Sequence, residues 1–221
     1  MPKLRSPEKL EALFAEKTVV DLPGILRALG GVSVQTAFRY LKLVPYRRSY
    51  NHNGRYYAFF EASRFDRLGL WSFEGIHFSI DGSLKNTVRR LVYEAPTGVS
   101  HRELQLMLQL RVHNTLLELW QKDEIARESL AGFFIYLHKE GTVREAQLSL
   151  RRKMLAGRQV ESEVTDAIII EVLLVLIRAP DSDFAEVVRR LRGHSPPIRS
   201  EHVRIVFDRY DLEHLGEKGG S

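Results

Sequence analysis

Residues 21–60 carry the signals that constrain the fold most strongly. Asp21 and Ser33 stand where helix N-caps are needed, because a short side-chain oxygen can accept the unpaired N–H groups of a first helical turn. Gly30-Gly31 ends the first helix and turns the chain sharply. Asn53-Gly54 is the dipeptide favoured by a two-residue type I′ hairpin turn. The stretch is therefore predicted to fold as a helix, a turn, a second helix and a β-hairpin.

The second of these helices separates apolar from polar positions. Its apolar residues recur at helical spacing and are predicted to face the core: Val34, Ala37, Phe38 and Leu41. Its other side carries polar and charged residues: Gln35, Thr36, Arg39, Tyr40 and Lys42. Further cations, aromatics and amides follow in the hairpin: Arg47, Arg48, Tyr50, Asn51, His52, Asn53, Arg55 and Tyr56. Residues 21–60 contain six Lys and Arg against one acid, a balance that suits phosphates and base edges.

Composition excludes several classes of protein. Of the 221 residues, 44% are hydrophobic and 28% are charged, which predicts an ordered globular chain. The chain contains no cysteine, so disulfides, a thiolate nucleophile and cysteine-ligated zinc are excluded. The charged opening MPKLRSPEKL predicts no secretory signal. The apolar run 167–177 is shorter than the roughly 20 residues that a membrane span needs, so we expect no membrane partner and a cytoplasmic location.

Two sets of elements with the same order are predicted. In the first, a helix opens at Ser6-Pro7, a short strand covers 18–20, and a short helix after the hairpin covers 61–68. In the second, we expect helices over 83–95, from the Ser100–Glu103 capping box, and over 112–122 with Trp120 inward. Two strands around 130–132 close the second set, so the repeat lies in element order more than in identity.

The remaining third of the chain is predicted to be helical. Thr142 and Glu145 form a capping box for a basic helix that ends at Gly157. Its cluster of Arg151, Arg152 and Lys153 is either a solvated face or a phosphate clamp. Three more helices cover 163–178, 183–193 and 200–212. The first of them is apolar nearly all round, which predicts a subunit interface and hence a homodimer through residues 163–212.

From about Ser6 to His138 the chain resembles the tandem winged-helix DNA-binding domains of bacterial transcription regulators and replication initiators. The resemblance rests on SVQTAFRYL as a recognition helix with YRRSYNHNGRYYAFF as its wing, and on RVHNTLLELWQKDEI with ARESLAGFFIYL as a second pair. It implies a mostly α fold with small β-hairpins (α+β). The predicted units are a first winged helix over 1–75, a second over 76–138, a basic linker helix over 139–160, a helical unit over 161–214 that is the candidate for dimerisation, and a disordered tail over 215–221.

The resemblance also implies roles for individual side chains. The helix opened by Ser33 would lie in the major groove, where Gln35, Thr36 and Arg39 meet base edges. Phosphate contacts would come from Tyr40, Lys42, Arg47 and Arg48, and Arg55 would enter the minor groove. The wing residues Tyr50, His52 and Asn53 complete this surface. In the second unit, the candidates are Arg111, His113 and Asn114, although that unit is equally consistent with a spacer or a dimer surface.

These patterns predict a sequence-specific protein for double-stranded DNA, with transcriptional regulation as the leading role. The alternatives are a winged-helix subunit that docks on protein partners, and an accessory factor for replication or for a mobile element. The eight histidines are scattered, without the i, i+4 pairing with a supporting carboxylate that zinc sites use. We therefore predict no metal, no cofactor and no catalytic residue.

Overall fold

A computed structural model describes residues 6–194 and 197–212; the predicted tail over 215–221 lies outside these ranges. The fold is α+β, with helices and small antiparallel sheets. The chain divides into two compact units, one up to Leu148 and one from Ser149. The boundary lies inside the helix that the sequence predicts as a linker.

The first half of the first unit has the predicted element order. Its elements are α1 (Ser6–Glu16), β1 (Val20–Asp21), α2 (Leu22–Ala28), α3 (Val34–Leu41), β2 (Tyr46–Arg48) and β3 (Tyr56–Phe59). The Asp21 carboxylate accepts the N–H of Gly24 at 2.8 Å, and the Ser33 hydroxyl accepts that of Thr36 at 3.3 Å. Both predicted N-caps are thus confirmed. The strands pair antiparallel in the order β1-β3-β2, and the core includes Leu10, Ile25, Ala37, Leu41 and Tyr57.

A hairpin that the sequence did not predict as a pair joins the two halves of the first unit. It consists of β4 (Leu70–Phe73) and β5 (Ile76–Ser79), and we call it the middle hairpin. The predicted helix over 61–68 is wrong, because only a 3₁₀ turn forms at Ala62–Arg64. The Asp66 carboxylate accepts the N–H groups of Leu68 and Leu70, both at 2.8 Å, and such local bonds compete with helix formation.

The second half of the first unit repeats the order of the first. Its elements are α4 (Leu84–Glu94), β6 (Val99–Ser100), α5 (His101–Leu108), α6 (His113–Gln121), β7 (Ala126–Leu130) and β8 (Phe133–Leu137). The predicted capping box is confirmed, since the Ser100 hydroxyl accepts from Glu103 N and the Glu103 carboxylate accepts from Ser100 N. The sheet order β6-β8-β7 repeats that of the first sheet.

The basic helix differs from its prediction at both ends. It runs as α7 over Gly141–Glu163, so it starts before Thr142 and passes through Gly157 without interruption. Thr142 bonds the Glu140 carboxylate at 3.0 Å instead of capping the helix. The start of α7 is anchored by buried Gln147, which accepts the N–H of His138 and donates to two main-chain oxygens of the α4 region, those of Val92 and Ala95.

The second compact unit contains α8 (Asp166–Arg178), α9 (Phe184–Arg190) and α10 (Ser200–Tyr210). Residues 163–165 do not belong to α8 as predicted, because Glu163 ends α7 and pairs with Arg199 ahead of α10. The unit has a core of its own that includes Ile168, Val172 and Val206. On α8, Ile170 and Ile177 are 55% and 72% exposed. This helix therefore keeps an uncovered apolar side within the chain.

Candidate nucleic-acid interface

The outer side of α3 presents the polar group predicted from the sequence. Gln35, Arg39 and Lys42 are exposed, whereas Ala37 and Leu41 are fully buried. The Arg39 guanidinium lies 5.6 Å from the centre of the Tyr40 ring, which is half-buried beside it. The prediction that Val34 faces the core is wrong, because this residue is 44% exposed. In the first turn of a short helix, its position projects past the edge of the packed side.

The electrostatics of this side favour an anionic ligand. Within residues 6–194 and 197–212, neither Arg39, Lys42 nor Arg55 has a carboxylate within ion-pair distance, although other exposed cations such as Lys122 and Arg190 do. Thr36 is half-buried and its hydroxyl accepts from that of Ser33 at 3.0 Å. The cations of α3 are therefore not neutralised by this part of the chain.

The loop between β2 and β3 differs from the predicted two-residue turn. It comprises residues 49–55, and His52, Asn53 and Gly54 all adopt positive φ, at 49°, 55° and 67°. Arg48 closes it, donating to the main-chain oxygens of Gly54 at 2.5 Å and Asn53 at 3.2 Å. A Cβ on Gly54 would collide with this guanidinium. Arg48 is exposed, but its two hydrogen bonds hold the main chain of the loop in place.

The same loop is tied to the middle hairpin. The Asn51 amide donates to Gly75 O at 2.8 Å and its oxygen accepts the N–H of His77 at 3.0 Å. The ring of His52 also lies 3.3 Å from Gly75 O, through Nε2. The loop is consequently held against a neighbouring hairpin and is not a free arm. His52, Asn53 and Arg55 remain exposed on it.

Tyr50 was predicted as a surface contact, and that prediction is wrong. Its hydroxyl donates to Leu108 O at 3.1 Å, its N–H donates to His77 O at 2.8 Å, and its ring stacks on that of His77 at 5.7 Å. Burial, with a smaller contribution from Asp66, raises the pKa of Tyr50 to about 12. Burial, and then the nearby His52, lowers the pKa of His77. Tyr50 therefore joins the first hairpin to the core of the second half.

The predicted phosphate contact by Arg47 is also corrected. Side chains alternate along a strand, so Arg47 lies on the opposite face from Arg48. Its Nε donates to Ile80 O at 2.9 Å, and its guanidinium lies 4.0 Å from the centre of the Phe60 ring. These contacts hold the half-buried side chain against the protein. They use Nε and Nη1 of the guanidinium, since Nη1 donates to Tyr46 O at 2.9 Å.

The Tyr50 bond predicts a measurable change in stability. Tyr50→Phe removes one hydroxyl and leaves Leu108 O without that donor, so we expect a loss of about 1 kcal/mol in the free energy of unfolding. Urea unfolding followed by tryptophan fluorescence suits this test, because Trp71 and Trp120 both lie in the first compact unit. The exposed Tyr210→Phe in α10 is the matched control. Equal midpoints for the two variants would contradict the assigned role.

The second half presents a less cationic surface. Arg111, His113 and Asn114 are exposed at the start of α6, but Glu118 shares the outer side of this helix. Glu118 lies 2.7 Å from Lys122 and 3.5 Å from Lys85, and its hydrogen bond to Lys122 contributes most to lowering the pKa of that carboxyl. The acid and its cations thus neutralise one another.

The three basic residues of the α7 cluster differ in exposure. Arg151 is 7% exposed, so the prediction that it holds phosphate is wrong. Arg152 and Lys153 are exposed and remain available to an anion. A helical face turns by about 100° per residue, so three consecutive basic residues cannot share one side.

No protein-family model matches the chain, and no curated protein matches it significantly. Among the described residues, no helix is both long and apolar enough to cross a membrane. The same residues contain no group of three or more His, Asp or Glu side chains that could hold a metal ion.

Several exposed apolar side chains were missed from the sequence. Trp120, predicted to be buried, is 38% exposed, and Phe133 and Phe134 at the start of β8 are 70% and 52% exposed. The Arg127 guanidinium lies 3.8 Å from the Trp120 ring centre and 4.3 Å from that of Phe134. Strand alternation beside the Ala131-Gly132 turn was the available signal, since two consecutive Phe residues in a hairpin must face opposite sides.

Proposed function

We propose that the chain is a tandem winged-helix protein that binds double-stranded DNA in a sequence-dependent manner, as a transcriptional regulator. The observation that carries this proposal is the outer side of α3, where Gln35, Arg39 and Lys42 are exposed beside an N-cap. Its two cations have no carboxylate partner among the described residues. The element order of each half agrees with a helix-turn-helix followed by a wing.

Binding requires no chemistry beyond contact. Arg39 and Gln35 are suited to guanine and adenine edges in the major groove, while Lys42 and Arg55 are suited to phosphates. Arg48 contributes mainly by holding the loop that carries Arg55. The N-terminal end of α6, with Arg111, His113 and Asn114, is a second candidate contact. The absence of cysteine and the nature of the ligand are consistent with a cytoplasmic protein.

We further propose that the protein is a homodimer through the second compact unit. Ile170 and Ile177 are exposed seven residues apart on α8, with half-buried Leu173 and Leu174 between them. An apolar seam of this spacing is favourably covered by the same seam of a second copy.

A titration across salt concentrations tests DNA binding. Fluorescence anisotropy with duplexes selected from a random pool measures the binding constant at each salt concentration. The logarithm of that constant is expected to fall against the logarithm of salt concentration with a slope of about −3 or steeper, because each neutralised phosphate contributes about −0.9. The expected pool is enriched for one motif. A flat salt dependence, or a pool without enrichment, would contradict sequence-dependent DNA binding.

Docking on a protein partner is the alternative that one observation favours. Leu106 and Met107 are 70% and 39% exposed on α5. Exposed apolar residues on a helix are typical of protein contacts. This alternative predicts no steep salt dependence, so the same titration distinguishes the two functions.

A further inference from the structure

The second hairpin, β7 with β8, has an apolar tip whose two sides differ. The nine residues 129–137, SLAGFFIYL, contain no charged side chain. Leu130 pairs with Phe133 and Ser129 pairs with Phe134 across the strands. Since side chains alternate along a strand, Phe133 and Phe134 lie on opposite faces of the tip. Each face therefore ends in one phenyl ring.

The base of the hairpin is fixed on both faces. On the Phe133 face, Ile135 and Leu137 are buried with Leu148 of α7. On the Phe134 face, Tyr136 belongs to the main core of the second half. The tip is left uncovered, with Phe133 70% and Phe134 52% exposed. Glu128 of β7, which pairs with Ile135, is also exposed and lies on the Phe133 face.

The turn makes the tip narrow. Ala131 and Gly132 have φ of 51° and 80°, which is the positive-φ pair of a two-residue hairpin turn. A Cβ on Gly132 would meet no atom within 4 Å, so the tip stands in open space. A hairpin tip that is two strands wide and apolar on both faces fits between two walls better than against a flat surface.

On the Phe134 face, the charge beside the tip favours a polyanion as the ligand. The guanidinium of Arg127 lies over the Phe134 and Trp120 rings. Among the described residues, Arg127 has no carboxylate within ion-pair distance, whereas Lys85 and Arg89 are paired with Glu124. A phosphate beside the Phe134 face would therefore meet a cation without a carboxylate partner in the described residues, and the minor groove of a duplex offers two walls lined by phosphates.

We propose that the second hairpin inserts Phe133 between two base pairs from the minor groove, with Phe134 against a deoxyribose wall and Arg127 on the adjoining phosphate. Apolar side chains that enter in this way partly unstack one step and bend the duplex. This inference rests on the proposed DNA binding and adds a role for the second half, whose helix α6 carries little net charge. On this inference, the protein bends the DNA that it binds.

The test uses the full chain and a duplex selected from a random pool, with 2-aminopurine placed at successive positions. Binding is expected to raise the emission at one step, because an unstacked 2-aminopurine is less quenched. Phe133→Ala should abolish that rise and weaken binding about tenfold, the order of one lost aromatic–base contact. Phe133→Leu should retain part of the rise, since leucine also serves as a wedge.

Leu106→Ala is the matched control, because Leu106 is also 70% exposed. It should leave both the emission and the affinity unchanged. If the wild-type protein binds the duplex without a rise at any position, or if Phe133→Ala keeps the rise, the inference is overturned while the proposed function stands. If Phe133→Ala changes the sedimentation coefficient and not the DNA affinity, the tip joins copies of the chain and the inference is likewise overturned. Failure of the wild-type protein to bind any duplex would instead remove the proposed function.

Discussion

Arg39→Ala is expected to weaken binding to the selected duplex by about 1–3 kcal/mol, or about one to two orders of magnitude, and to relax the preference at one base pair. The reason lies in the position of Arg39 on the exposed side of α3, without a carboxylate partner in the described residues. A guanidinium there is free to make two parallel bonds to one guanine. Anisotropy titrations against the selected duplex and single-base variants measure both effects.

Lys42→Ala is the comparison that separates base reading from phosphate binding. It should weaken all duplexes alike and reduce the salt slope by about 1. Arg209→Ala, an exposed cation of α10 next to Asp208, should change neither quantity. Equal losses for Arg39→Ala on selected and random duplexes would contradict the assignment of Arg39 to a base edge.

The two halves of the first unit are coupled in a way that matters for any bound duplex. Tyr50 of the first hairpin bonds Leu108, at the end of α5, and the middle hairpin holds the loop around Asn51. These contacts tie the hairpin that follows α3 to the helix that precedes α6, and α3 and α6 both belong to this one compact unit. If both helices meet DNA, their separation is set by the protein, so the site would be a bipartite sequence of fixed spacing.

Local signals predicted the elements well. The caps at Asp21, Ser33 and Ser100 and the element order that the two halves share were predictable, because each depends on residues within one or two turns. The helix predicted over 61–68 did not form, and the pairing of the middle hairpin was not predicted. Gly157 misled the prediction, since a glycine interrupts a helix only when the backbone needs its conformational freedom there. In α7 the chain keeps helical geometry through it.

Contacts between distant residues were not predictable from the same signals. Tyr50 and Arg47 look like surface residues in a cationic hairpin, yet their partners Leu108 and Ile80 lie 58 and 33 residues away. Periodicity likewise placed Trp120 inward, whereas Leu116 and Leu119 fill the core beside it. The composition of the α3 surface was therefore predictable, but the division of the hairpin residues between structure and surface required the fold.

Gly98→Ala is expected to destabilise the first compact unit by about 2–4 kcal/mol. Gly98 has φ +63°, which costs an alanine about 1 kcal/mol. A Cβ would also come within 2.8 Å of Tyr136 O and 2.9 Å of Ile135 Cγ2, and closer still to a methyl of Leu137. Overpacking of a core in this way costs about 1–3 kcal/mol. Because the obstructing oxygen belongs to the backbone of β8, a rotamer change cannot relieve the clash.

Gly82→Ala separates the two contributions. Gly82 has φ +72°, but a Cβ there would meet no atom within 4 Å, so this variant should lose only the backbone component of about 1 kcal/mol. Urea unfolding followed by the fluorescence of Trp71 and Trp120 reports both variants in the same unit. Similar midpoints for Gly98→Ala and Gly82→Ala would mean that β8 can move away from the turn. The packing around Gly98 would then hold the second hairpin, and with it the direction of Phe133, less firmly than the distances above indicate.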